Sequence, residues 1–87
     1  MVEPSGGLRI KVPDELAGVL LRSRLEGLGR AELVYRGEDG WEVRLAASGQ
    51  GAVATALGLT REWLARERIA ATEVVIEGET LTLTAFA

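Results

Sequence analysis

Twice along this chain, two alternating strands flank a short turn that contains glycine, and this constrains the fold more than any other feature. The first case is Ala31-Glu-Leu-Val-Tyr-Arg36, a loop, then Trp41-Glu-Val-Arg-Leu45. Apolar and polar residues alternating with period two mark strands that bury one face. A three-residue loop Glu38-Asp39-Gly40, with Gly40 left-handed, gives a type I turn followed by a bulge. That register sets Arg36 opposite Glu42, Tyr35 opposite Val43, Val34 opposite Arg44 and Leu33 opposite Leu45. A slip by one residue turns every side chain to the wrong face. The second case runs from Thr72 to Ala85. With Gly78-Glu79 as a type II′ turn, Ile76 faces Leu81, Val74 faces Leu83, and Val75 faces Thr82 on the outer surface.

What lies between and before the hairpins is helical. Leu8-Arg-Ile-Lys-Val12 is a further alternating strand, with Leu8, Ile10 and Val12 inward. Pro13-Asp14-Glu15 opens a helix, since proline suits a first turn and carboxylates complement the positive dipole end. That helix runs to about Glu26, where Gly27 and Gly29 stop it. Its apolar residues, Leu16, Ala17, Val19, Leu20, Leu21, Leu25 and Leu28, cover a wider arc than one sheet face requires. Gly18, Arg22 and Glu26 are left on the polar side. The second helix spans roughly Gly51 to Arg68, with Val53, Ala56, Leu57, Thr60 and Leu64 on one face. Leu59 and Trp63 form a neighbouring i, i+4 pair on its flank.

The order β-α-β-β-α-β-β predicts an α+β domain with a ferredoxin-like βαββαβ core and an added C-terminal edge strand. Right-handed crossovers put the two helices on one face of the antiparallel sheet. Residues 1–7 read as a flexible N-terminal arm and 8–87 as a single domain. Its length, 87 residues, suits one domain but allows only modest burial, so a small domain of this kind gains from an oligomeric partner.

Composition narrows the chemistry by elimination. The chain has no Cys and no His, and reading along it finds no Asn. Zinc ligation, thiol chemistry and the usual neutral-pH general base therefore drop out. No cofactor, metal site or catalytic residue is expected, and the domain reads as non-enzymatic. The formal net charge of −3 gives no global attraction for phosphate backbones, so nucleic acid is not an expected partner. No apolar run approaches the length of a membrane span. A membrane partner is not expected either. With an acidic start that lacks the regions of a signal peptide, the cytoplasm is the expected location.

Three features bear on function. Ser48-Gly49-Gln50-Gly51 precedes or opens the second helix, where free amides and the dipole favour an anion. With no Lys after it, the loop reads first as a capped connection and only second as a ligand site. Arg9, Lys11, Arg36 and Arg44 alternate outward but are interleaved with Glu32, Glu42, Glu73 and Glu77, the pattern of a mixed solvated face. The excess apolar helix surface is the stronger lead. Leu59 with Trp63, and Val19 with Leu25, fall off the expected core stripes and are the candidate interface. A protein partner or a homo-oligomer is the expected contact.

Ala47-Ser-Gly-Gln-Gly-Ala-Val-Ala-Thr-Ala-Leu57, Trp63-Leu64, Glu73-Val-Val-Ile-Glu-Gly78 and Thr80-Leu-Thr-Leu83 together resemble the bacterial effector-associated constant component domains. The resemblance covers about residues 43 to 84. It implies a small α+β adaptor, without catalysis, that couples effectors such as proteases to partner proteins in immune-like systems. A different reading of the same core order is an ACT-like regulatory domain. That reading places a small ligand near Pro13-Asp14 at a dimer interface.

Overall fold

The structure, a computed structural model, describes residues 7–46 and 50–85. Its elements are β1 (Gly7–Val12), α1 (Glu15–Leu25), β2 (Arg30–Tyr35), β3 (Trp41–Ala46), α2 (Gln50–Arg66), β4 (Ala71–Ile76) and β5 (Glu79–Thr84). The five strands form one sheet in the order β2-β3-β1-β4-β5, and every neighbouring pair is antiparallel. Each crossover helix therefore joins strands separated by one intervening strand, which is the ferredoxin-like arrangement, and β5 adds a strand beside β4. Gly7, expected in the arm, belongs to β1 and pairs with Ala46.

The alternation places Leu8, Ile10 and Val12 of β1, Val43 and Leu45 of β3, Val74 of β4 and Leu83 of β5 on the inner face. Against them pack Ala17, Leu21 and Leu25 of α1 and Ala56, Trp63 and Leu64 of α2. Thr60 is also fully buried, and its hydroxyl donates to the Ala56 carbonyl at 2.7 Å, so no polar atom of that side chain goes unmatched.

Both hairpins keep the expected faces but pair two residues away from the expected register. In the first, Tyr35 faces Trp41, Leu33 faces Val43 and Glu32 faces Arg44. The connection is a five-residue loop, 36–40, with a 3₁₀ turn at Gly37–Asp39. Gly37 and Gly40 both have positive φ, at 63° and 79°, so the chain turns twice through the left-handed region instead of once. Arg36 donates its backbone N–H to the Gly40 carbonyl at 2.6 Å and closes the loop. In the second hairpin Val74 faces Leu81 and Thr72 faces Leu83. The turn residues are Glu77 and Gly78, with φ of 51° and 84°. Two positive φ values make this a type I′ turn with glycine in the second position, one residue earlier than the expected type II′. Alternation has a period of two residues, so it rejects a one-residue slip and is blind to a two-residue one. Turn geometry decides the rest.

Two helix boundaries also move. Asp14 is the N-cap of α1, in extended conformation, and its Oδ1 accepts the Ala17 N–H at 2.8 Å. Pro13 therefore precedes the helix and does not sit in its first turn. At the other end α2 stops at Arg66, and Arg68 adopts a positive φ of 59°.

Candidate functional site

The phase of α1 about its own axis decides what this domain shows to solvent. Gly18 is buried against the sheet: a Cβ there would overlap Leu33 Cδ1 and come within 3.0 Å of Val12 Cγ2. The missing side chain lets the helix approach β1 and β2 closely. On the neighbouring residue, the Ala17 carbonyl accepts the indole N–H of Trp63 at 3.0 Å, which joins α1 to α2 inside the core. Gly18 toward the sheet and the Ala17 carbonyl toward Trp63 together set the phase of the helix.

This orientation turns leucines outward. Leu16 is 71% exposed and Leu20 is 43% exposed, one helical turn apart, with half-buried Val19 between them. Residues at i, i+3 and i+4 lie side by side on a helix, so the three form one apolar ridge. Burying a leucine is worth about 1.5–3 kcal/mol relative to leaving it exposed, and the folded chain leaves most of that unrealised at Leu16.

The four expected anchors fall elsewhere. Trp63 is 1% exposed and Leu25 is fully buried, so both belong to the core and neither reaches the surface. Leu59 is half-buried and packed against the core, and Val19 is half-buried on the ridge. Gly18, read as polar-side, is the residue nearest the sheet. A glycine inside an apolar helical arc was the available signal, since it marks close approach as readily as it marks a polar side. Of the expected anion loop, Ser48 and Gly49 lie outside the described residues, while Gln50 and Gly51 are the first residues of α2.

The helix-free face of the sheet is a lattice of mixed charge. Glu42 accepts from Arg44 Nε at 2.6 Å and from Arg36 at 3.5 Å, and Lys11 is its cross-strand neighbour on β1. Arg30 and Glu32 pair along β2 at 3.5 Å. Arg9 stands opposite Arg44, a like-charge pair that the Glu42–Arg44 bond moderates. The aromatic pair Tyr35–Trp41, with ring centroids 4.9 Å apart, has the opposite parity and sits at the loop end of the hairpin.

One open cleft of about 360 Å³ lies at that end of the sheet, lined in part by Lys11, Pro13, Glu38, Asp39, Ile69 and Thr72. Thr72 Oγ1 donates to the Lys11 carbonyl at 2.6 Å on its floor. Among the described residues, no three carboxylates converge closely enough to hold a metal ion, and no helix is long and apolar enough to cross a membrane. Comparison with family models, with curated proteins and with solved structures gives no match for this chain.

Proposed function

We propose that this chain is a non-catalytic protein–protein interaction module whose recognition surface is the outward ridge of α1. The observation that carries this reading is the exposure of Leu16 and Leu20 on a helix whose other large apolar residues, Leu21 and Leu25, are fully buried. The open sheet face offers less by contrast: its cations are interleaved with carboxylates, Glu42 holding both Arg36 and Arg44, and among the described residues its outward positions carry no aromatic side chain on which bases could stack. The resemblance of residues 43 to 84 to effector-associated domains adds the kind of partner, an effector protein in a bacterial defence or signalling system. The adaptor acts by holding that partner, and no bond is made or broken in it.

A photo-crosslinking residue placed at position 16 or 20, in lysate from the native host, tests the reading. It is expected to trap a discrete protein that the same probe at exposed Glu62 on α2 does not trap, and Leu20→Lys is expected to abolish the adduct. Equal trapping from all three positions, or none from any, overturns it.

The cleft beside Pro13 favours a second reading, an ACT-like domain that senses a small molecule. Lys11, Glu38 and Asp39 among its lining residues bring charges of both signs, as the carboxylate and ammonium of an amino acid require. A thermal-shift screen of amino acids and nucleotides is expected to show stabilisation by at least one of them. Uniform absence of stabilisation sets this reading aside.

A further inference from the structure

The two edges of the sheet are built differently among the described residues. β2 carries Arg30 and Glu32, an ion pair on the strand itself. Among the described residues β5 pairs with β4 alone, and from Thr80 to Thr84 it reads Thr-Leu-Thr-Leu-Thr, without charge, proline or glycine. Proteins ordinarily blunt an edge with one of those devices, because unpaired strand backbone is a template for another strand.

The direction of the unpaired groups follows from the turn. A two-residue hairpin closes on a hydrogen-bonded pair, here Ile76 with Glu79. Bonding then alternates, so Leu81 and Leu83 point their backbone groups at β4. Ala85 continues the phase, with its N–H on the Ala70 carbonyl at 3.1 Å. Thr80, Thr82 and Thr84 therefore present their backbone groups to the outside. Thr84 agrees independently: its carbonyl accepts Arg61 Nε, at 3.0 Å, from α2. The outward groups of Thr80 and Thr82 bond to no other strand among the described residues.

We infer that β5 is a homodimerisation edge, at which a second copy of this chain pairs antiparallel about a two-fold axis through Leu81 to make one ten-stranded sheet. In that register Thr80 faces Thr82 of the second copy, and the two exchange both of their outward backbone hydrogen bonds. Leu81 meets Leu81 of the second copy in the closer, non-hydrogen-bonded position. Leu81 lies on the helix-bearing face and is 38% exposed in the lone chain, so the pairing covers an apolar side chain that the fold leaves partly open. The pairing also leaves the Arg61 contact at Thr84 undisturbed, since the exchanged bonds end at Thr82.

Charge distribution selects a second copy over an unrelated strand. Arg61 marks the Thr84 end of the edge, while Glu77 and Glu79 mark the turn end. A two-fold axis through Leu81 lays Thr84 opposite Gly78 of the second copy. Each arginine then comes beside the opposing glutamates, twice over by symmetry. An axis that passed through Thr82 would instead require the Thr84 carbonyl to serve both Arg61 and the second strand.

The inference does not depend on the α1 ridge, and the experiment separates the two. Analytical ultracentrifugation of the whole chain is expected to show a dimer that Thr82→Pro abolishes. Proline is compatible with the fold here because the lost N–H points away from β4. Leu20→Lys is expected to leave the dimer intact. A cysteine scan gives a readout that does not require the proline variant to fold. The chain has no cysteine of its own, so Leu81→Cys is expected to form an intermolecular disulfide under mild oxidation far faster than Glu62→Cys. A wild-type monomer at every accessible concentration overturns the inference. So does a dimer unaffected by a folded Thr82→Pro, equal oxidation at positions 81 and 62, or a dimer dissolved by Leu20→Lys, which would move self-association to the ridge.

Discussion

Both helices mix leucines with alanine and glycine, yet α2 exposes no large apolar side chain among its described residues, while α1 exposes Leu16 and Leu20 even as it buries Leu21 and Leu25. α2 turns Trp63 fully inward and leaves Glu62, Ala65 and Arg66 outside. α1 turns Gly18 inward and leaves Leu16 and Leu20 outside. The difference teaches that a helix is oriented by where it must come closest to the sheet, not by its total apolar content. Trp63 fills the core beneath α2, and Gly18 permits a close approach to the sheet beneath α1. The Trp63–Ala17 hydrogen bond links the two solutions, so that each helix holds the other in phase.

The sharpest way to break this pairing is Trp63→Ala. It removes the largest core side chain and orphans nothing but a helix carbonyl, and it is expected to cost about 3–5 kcal/mol. Domains of this size have total stabilities of about 5–15 kcal/mol. Chemical denaturation is the measurement, with the midpoint expected to fall steeply. Trp63→Phe keeps most of the ring and loses the bond to Ala17, so it is expected to cost clearly less. An alanine variant as stable as wild type would mean that Trp63 does not hold the helices together.

How much of this was legible beforehand follows from which forces leave a trace in one sequence. Strand identity and facing were, because period-two alternation is written residue by residue in Leu8-Arg-Ile-Lys-Val12 and Glu79-Thr-Leu-Thr-Leu-Thr84. The order of elements then left few topologies, and the ferredoxin-like one is found. Register was not legible, because Val74 fits opposite either Leu81 or Leu83 and only the Glu77-Gly78 backbone chooses between them. The surface site was misplaced for a related reason. Trp63 and Leu59 look surplus when α2 is taken alone, since the stripe of Val53, Ala56, Leu57, Thr60 and Leu64 already accounts for one face. Only the hydrogen bond from the indole to the Ala17 carbonyl on the other helix shows where the ring goes.

The comparison sharpens at Gly18. If the glycine is what sets α1 close to the sheet, then Gly18→Val forces Leu33 and Val12 apart and is expected to cost about 1–3 kcal/mol, as overpacking does elsewhere. At Gly58 in α2 an added Cβ meets nothing within 4 Å, so the same change there is expected to cost no more than a fraction of that. Thermal unfolding of the two variants side by side measures the contrast. Equal costs would show that closeness is not what distinguishes the helices. At the start of α1, Asp14→Ala removes the side-chain acceptor for the Ala17 N–H and is expected to cost about 1 kcal/mol. The loss falls on the residue whose carbonyl receives Trp63, so a slight disturbance of the indole fluorescence should accompany it.

The smallest expected effect is the most informative about function. Leu16→Ser and Leu20→Lys alter two large apolar residues, and in a core such changes would be ruinous. On the ridge they are expected to shift stability by no more than about 0.5 kcal/mol, because surface substitutions away from special features rarely do more. Leu20, at 43% exposure, has more to lose than Leu16, at 71%, so the shift should be larger at position 20. Denaturation midpoints within error of wild type, combined with lost partner crosslinking, would separate a surface kept for binding from one kept for folding. A loss of 2 kcal/mol or more, about what a fully buried leucine contributes, would instead place these leucines in the core and remove the ridge as a recognition surface.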